Sequence, residues 1–355
     1  MICRKREGFL DIRSVSGGVA YEVDLQGEST VLSAMLDDAG ERLAIVFRRV
    51  EQTEEWTTRE SLVVICLATG ERRVLWDRFA MGPVWLPGQD RLAFSNDEAI
   101  CVAEVSSGRV AEVYRFSEEA RGGLELCVRP DGHGLAFLQW VPQGRRVGVV
   151  DLDTRQGRVY NVCCLSHCWW DAATVLFVLG PRFELLDIHS GKSRPFLANL
   201  AELDKPGVVE VVGKRWVQAI RAKDVVTDLT EVACLGDRVY FGARAEFAVA
   251  GRAVLPFIGG TRYHGVEGLL SVARDRTDLR RHLDEQIVPS GIVPINEGRT
   301  LAVIVRRRHG RKGWREEWAF VGEGAHDIPR GFAPLPRASF ALRGGVYVAG
   351  YPGQE

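Results

Sequence analysis

The chain has 355 residues, a formal net charge of −1 and 26% charged residues. That length can bury a large core, as two ordinary domains or as one closed repeat array, and the balanced charge excludes a global field that would draw nucleic acid or an anionic membrane. No apolar run reaches about 18 residues, which excludes a membrane-spanning helix.

Positive charge is almost all arginine, lysine being confined to Lys5, Lys192, Lys205, Lys214, Lys223 and Lys312. We read this as the codon usage of a GC-rich, bacterial genome rather than as a binding signal. The first residues, MICRKREGFLDIRSV, are basic but carry no apolar signal core, so a soluble, cytoplasmic protein is the expectation. Cys66, Cys101, Cys127 and Cys234 each sit in apolar strand-like runs, where a reduced thiol behaves as a small hydrophobe.

Taken in order, the chain shows two interleaved signatures. One is a turn followed by an apolar triplet. It appears as DDAGERLAI (Asp37–Ile45), LPGQDRLAF (Leu86–Phe94), RPDGHGLAF (Arg129–Phe137) and WDAATVLF (Trp170–Phe177), then more weakly as CLGDRVYF (Cys234–Phe241), NEGRTLAV (Asn296–Val303) and LRGGVYV (Leu342–Val348). The other is an apolar run, a small polar turn with Gly, then a charged residue. It appears as YEVDLQGE (Tyr21–Glu28), VICLATGE (Val64–Glu71), VAEVSSGR (Val102–Arg109), VVDLDTRQGR (Val149–Arg158) and LLDIHSGK (Leu185–Lys192), with late copies FAVAGRAV (Phe247–Val254) and FVGEGAHD (Phe320–Asp327). Strand periodicity runs throughout, without a convincing 3.6-residue apolar period.

The clearest unit, Leu126–Val162, reads as four strands and three turns, the size of one propeller blade. Its Pro130-Asp131-Gly132 turn uses the fixed φ of Pro, the local hydrogen bonding of Asp and the positive φ open to Gly. Each signature occurs seven times. The first copy of the second signature and the last copy of the first lack partners. The simplest account is an all-β, seven-bladed β-propeller of four-stranded antiparallel blades over residues 1–355. Strands around Phe340–Ala349 and Phe9–Leu25 would close the ring in one composite blade. Residues 198–229 and 258–294 are longer than ordinary connections and read as insertions, or one of them hides an eighth blade. Within the second, Leu269–Gln286 reads as a strand pair or as a short helix from Thr277.

With Pro130-Asp131-Gly132, Leu135-Ala136-Phe137 and Val150-Asp151-Leu152, the repeat resembles the WD-repeat-like, TolB-type β-propeller repeat. The resemblance is close over Leu126–Val162 and implies the architecture, while leaving function open.

Chemistry-bearing motifs are sparse. G-x-S-x-G is missing, which argues against a prolyl-peptidase-type hydrolase. HSGKS (His189–Ser193) lacks the first P-loop glycine, Leu186 standing there, and reads as a hairpin turn. In CCLSHCWW (Cys163–Trp170), Cys164, His167 and Cys168 would hold zinc only with a fourth ligand from elsewhere; buried thiols are the favoured reading. Trp85, Trp169 and Trp170 lie on first strands and read as packing. No metal and no cofactor is expected.

The remaining candidate is a set of hairpins between second and third strands: FRRVEQTEEWTTRES (Phe47–Ser61), QWVPQGRRV (Gln139–Val147) and VRRRHGRKGWREEW (Val305–Trp318). In a propeller they share one face, gathering Arg48, Arg49, Trp56, Trp140, Arg145, Arg146, Arg306, Arg307, Arg308 and Trp314. Arg and Trp are the residues enriched at interface hot spots. Alternatives are a solvated hairpin tip with cation–π pairs, or an anion or single-stranded nucleic acid site. Interleaved Glu51, Glu54, Glu55, Glu316 and Glu317 argue against a phosphate footprint. The expectation is a non-catalytic scaffold that docks a protein on this face; a propeller enzyme or small-ligand binder using a central channel is the alternative.

Overall fold

The computed structural model describes residues 2–6, 9–13, 19–24, 30–37, 39–52, 56–117, 120–142, 144–179, 182–197, 225–250, 261–278, 280–283, 286–295, 300–308, 314–322, 333–334 and 347–350. Every regular element among them is a β-strand. Among the described residues no helix is long and apolar enough to cross a membrane.

The strands follow one another as antiparallel meanders. β1 (Ile2–Arg6), β2 (Phe9–Arg13) and β3 (Val19–Asp24) open the chain. A four-stranded sheet follows, of β4 (Thr30–Leu36), β5 (Arg42–Gln52), β6 (Trp56–Cys66) and β7 (Arg72–Trp76). The next holds β8 (Met81–Trp85), β9 (Arg91–Ser95), β10 (Ala99–Glu104) and β11 (Val110–Arg115). After it come β12 (Arg121–Val128), β13 (Gly134–Val141), β14 (Gly144–Asp151) and β15 (Gly157–Cys163). The fourth such sheet is β16 (His167–Trp169), β17 (Thr174–Leu179), β18 (Arg182–Asp187) and β19 (Ser193–Leu197). The fifth is β20 (Val225–Leu235), β21 (Arg238–Ala250), β22 (Thr261–Ala273) and β23 (Arg280–Leu283). β24 (Gln286–Ile295), β25 (Thr300–Arg308) and β26 (Trp314–Gly322) make a three-stranded sheet. Finally β27 (Ala333–Pro334) and β28 (Tyr347–Gly350) join the opening strands in the order β27-β28-β1-β2-β3, with β28 parallel to β1 from Ile2↔Tyr347 to Arg4↔Ala349.

The chain separates into two compact units, Met1–Cys164 with Val293–Ile304 and Glu316–Glu355, and Leu165–Ile292 with Val305–Arg315. In the second unit, the charged run within 269–286 forms a strand pair, β22 with β23, rather than a helix, and most of 258–294 is strand rather than irregular insertion. Of FAVAGRAV only Phe247–Ala250 are described: β21 ends there and pairs with β22 at Ala250↔Thr261, so these residues end a second strand, not a third. Val208–Arg221 lies outside the described residues.

The apolar triplets are the second strands. Leu92, Ala93 and Phe94 in β9, Leu135, Ala136 and Phe137 in β13, and Val175, Leu176 and Phe177 in β17 are all 0% exposed. Successive side chains on a strand point to opposite faces, so three consecutive buried residues require cover on both faces. In β5 the two faces separate cleanly. Ala44 and Val46 join a core with Val84, Phe94 and Phe137, whereas Leu43, Ile45 and Phe47 pack with Val23, Val31 and Leu67. Each buried Val, Leu, Ile or Phe side chain among them contributes roughly 1.5–3 kcal/mol.

Polar side chains fasten neighbouring sheets of the first unit. Arg42 Nε donates to Asp37 Oδ2 at 2.8 Å, its Nη1 reaches Asp90, and its guanidinium lies 4.7 Å over the Trp85 ring. Trp85 Nε1 donates to the Met35 carbonyl at 3.1 Å, tying β8 to β4. Trp85 and Trp169 are buried packing residues on first strands. Trp170 follows β16 and packs on Phe196 at 5.0 Å, with the Arg274 guanidinium 4.6 Å away.

The turns obey local chemistry. Gly132 sits at φ 77° and donates its N–H to the Arg129 carbonyl at 2.8 Å, while Asp131 accepts the His133 N–H. Between third and fourth strands, Gly70, Gly108 and Gly191 take the left-handed position at φ 70–73°. In the β14–β15 turn that position falls on Arg155, at φ 58°, and not on a glycine. Gly157, which the sequence suggests as the turn glycine, instead makes room for a ring: a Cβ there would stand 2.2 Å from Tyr114 Cδ2.

Candidate functional site

Side-chain geometry in the second-to-third hairpins follows from how far the paired strands extend. Most described residues of the charged segments expected to be loops are strand. Arg48 and Arg49 lie in β5 opposite Glu60 and Arg59, and Gln52 pairs with Trp56 at the end of the ladder. Because β7 pairs only with Leu62–Ile65 of β6, this hairpin runs beyond the fourth strand. Arg48 is committed locally: Nε and Nη2 donate to Glu60 Oε1 at 2.9 and 2.6 Å, and the carboxylate is only 6% exposed. An ionised group so buried requires this compensation. Arg49 is exposed; Trp56 has its backbone in β6 and its side chain outside the described residues.

The β13–β14 hairpin is tighter. Val141 pairs with Gly144, Trp140 with Arg145 and Gln139 with Arg146. Trp140 is 42% exposed, one of few large apolar side chains left so open among the described residues. The Arg145 guanidinium lies 4.7 Å over its ring. Arg145 Nη1 is also 3.5 Å from Glu125 Oε1. Glu125 occupies a register shift in β12, between Leu124 and Cys127, with φ 55°. A non-glycine residue in the left-handed region costs of order 1–3 kcal/mol and persists where the surroundings over-determine it. Here it turns a carboxylate toward Arg145, which covers one face of Trp140. Bulge, carboxylate, guanidinium and indole form one connected set, and sequence reasoning missed Glu125 because a bulge leaves no composition signal.

Arg306, Arg307 and Arg308 end β25, and Trp314 begins β26. These too are strand positions rather than loop. Their side chains lie outside the described residues. Arg48, Arg49, Trp56, Trp140, Arg145 and Arg146 belong to the first unit, and Arg306–Arg308 with Trp314 to the second.

Other sequence candidates resolve individually. HSGKS is the β18–β19 turn, with Asp187 Oδ1 accepting the N–H groups of His189 and Ser190 and Gly191 at φ 70°. Among the described residues no three His, Cys, Asp or Glu side chains converge as metal ligands would. Cys168 instead meets Cys234 of β20, sulfur to sulfur at 3.4 Å. Ser271 Oγ lies 2.8 Å from His282 Nε2, but Ser271 is 0% exposed and accepts from Arg238 Nε at 3.0 Å, so this pair is a buried brace and not an accessible nucleophile. A cavity of about 370 Å³ beside the β9–β10 connection is lined by Trp76, Phe79, Asn96, Cys101, Val110 and Arg115. Burial pushes its Cys101 thiol up to about 11, which keeps it protonated and unreactive at neutral pH.

No protein-family model matches the sequence, and no curated protein matches it. Solved structures do. The acylaminoacyl peptidase of Pyrococcus horikoshii superposes with a TM-score of 0.51 at 9% identity, over 82% of this chain and 44% of that one. Dipeptidyl peptidase 4 of Porphyromonas gingivalis gives 0.49 at 9% identity, over 92% and 57%. TolB of Acinetobacter baumannii gives 0.43 at 14% identity, over 81% and 62%. The chain therefore spans less than two thirds of each of these proteins. Identities at this level speak to fold alone. The succession of four-stranded antiparallel sheets, with the likeness to the Pyrococcus horikoshii peptidase at a TM-score above 0.5, supports a β-propeller-like, all-β fold.

Proposed function

We propose that this chain is a non-catalytic interaction module, a cytoplasmic β-propeller that docks a protein partner on its second-to-third hairpins. The observation that carries the reading is the Glu125–Arg145–Trp140 set. An indole left 42% exposed and braced by a guanidinium 4.7 Å away has little rotamer freedom left to lose on binding, which is what an interface anchor requires. Arg49 and Arg146 belong to the proposed surface in the first unit; Arg306–Arg308 and Trp314, in the second, are proposed as hairpin contacts of their own. A single ring of seven blades over residues 1–355 belongs to the same proposal. It is supported by seven sheets among the described residues and by the β28–β1 pairing; a blade within residues 198–229 would make eight.

The test is a photo-crosslinking amino acid placed at Trp140 and, as a control in the third-to-fourth-strand turn of the preceding sheet, at Arg109, followed by ultraviolet irradiation in the native host. A discrete crosslinked protein at 140 and none at 109 supports the reading. Equal labelling at both positions, or none at 140, overturns it. A second reading, a small-ligand binder or enzyme, draws on the 370 Å³ cavity beside Trp76. It predicts a ligand-dependent change in Trp76 fluorescence that Trp140→Phe leaves intact.

A further inference from the structure

Two thiols from different sheets meet in the second unit. Cys168, the middle residue of β16, is 4% exposed, and Cys234, near the end of β20, is half-buried. Their sulfurs are 3.4 Å apart. The approach is anchored. Ser166 Oγ accepts the Val232 N–H at 3.3 Å. Ser166 and Val232 each precede their cysteine by two positions, so the two segments run side by side in the same direction with matching residues opposed. Each cysteine is also held from its other side, Cys168 opposite Leu176 and Cys234 opposite Val239. Sulfur atoms at van der Waals contact need a further approach of only about 1.4 Å to reach the bonded distance.

We propose that Cys168 and Cys234 form an oxidation site for a hydroperoxide-class oxidant, and that the resulting disulfide fastens the β16–β19 sheet to the β20–β23 sheet. Cys234, the more exposed thiol, attacks the distal peroxide oxygen. The O–O bond breaks, an alcohol or water leaves, and Cys234 becomes a sulfenic acid. The Cys168 sulfur then attacks the Cys234 sulfur. An S–S bond forms, the S–O bond breaks, and the oxygen departs as water with the Cys168 proton. The two thiols together lose two electrons and two protons; the peroxide gains them. A thiol reductant reverses the step, as befits a disulfide that is transient in a reducing compartment.

The bond would close a loop running from 168 to 234. A loop of that length removes enough unfolded-state entropy to raise the melting temperature by roughly 5–15 °C. The test treats wild type, Cys168→Ser and Cys234→Ser with tert-butyl hydroperoxide. Remaining thiols are blocked by alkylation, and peptides are mapped by mass spectrometry beside a thermal melt. The expected result is a Cys168–Cys234 linked peptide and a raised melt in wild type only, both abolished by dithiothreitol, with the two variants melting as reduced wild type does. Three results would overturn it: alkylation of both cysteines under conditions that oxidise the exposed Cys163, linkage of Cys234 to another cysteine, or a linked product whose melt is unchanged.

Discussion

Phe137 lies directly across the β13–β14 pair from Gly148, and its ring occupies the space that a Cβ at 148 would fill, with Cζ only 2.2 Å from that position. The glycine is therefore a packing residue, and its missing side chain is what lets a fully buried phenylalanine lie flat on the sheet. Gly148→Ala should destabilise the protein by about 2–3 kcal/mol through overpacking, read as a lowered urea midpoint. Phe137→Leu added to it should cost less than the two single changes summed. Strict additivity would mean that the ring does not depend on the glycine.

Arg155 holds at φ 58° the position that Gly70, Gly108 and Gly191 hold in other sheets. It is exposed at a turn, so its side chain contributes little packing. Arg155→Gly should raise stability by about 0.5–1 kcal/mol by removing left-handed strain, net of the added unfolded-state entropy. Gly132→Val, at φ 77°, should act in the opposite sense by about 1 kcal/mol or more. Chemical denaturation measures both, and a destabilised Arg155→Gly would refute the turn geometry.

His282 is held below its ordinary 6.5 first by burial, then by the Arg238 and Arg280 guanidinium groups. The unfolded chain takes up this proton near 6.5, the folded chain only at lower pH. Protons therefore favour unfolding: this contribution to stability is complete above pH 6.5 and is lost as pH falls below it. Carboxylates such as Asp151, held below 3.8 by the Thr154 N–H, lose theirs only in stronger acid. A denaturation series from pH 7.5 to 5 should show falling stability in wild type and a flatter profile in His282→Gln. Parallel profiles would remove His282 as the cause.

Cys101 and Cys163 should separate by reactivity. Burial raises Cys101 to about 11, whereas Cys163 is exposed at the end of β15. At pH 8 iodoacetamide should label Cys163 in minutes and Cys101 only after addition of denaturant, by peptide mapping. Rapid labelling of Cys101 in the native protein would show that the cavity beside it opens to solvent.

Much of the fold was legible because its cause is local. A short turn followed by three apolar residues is satisfied by a strand covered on both faces, and Leu92–Phe94, Leu135–Phe137 and Val175–Phe177 are such strands. The Pro130–Gly132 turn was legible for the same reason. The candidate site was legible in residue type but not in place. Charge at Arg48, Arg49 and Arg306–Arg308 suggested loops, yet cross-strand partners such as Glu60 let the ladders continue through them. The sequence by itself determined an all-β chain of repeated meanders, because side-chain alternation and turn chemistry act over a few residues. Only the tertiary structure decided that Gly157 makes room for Tyr114, that Glu125 braces Arg145 over Trp140, and that Cys168 meets Cys234. Each of these is a contact between strands distant in sequence, set by how the sheets pack, and no local pattern encodes it.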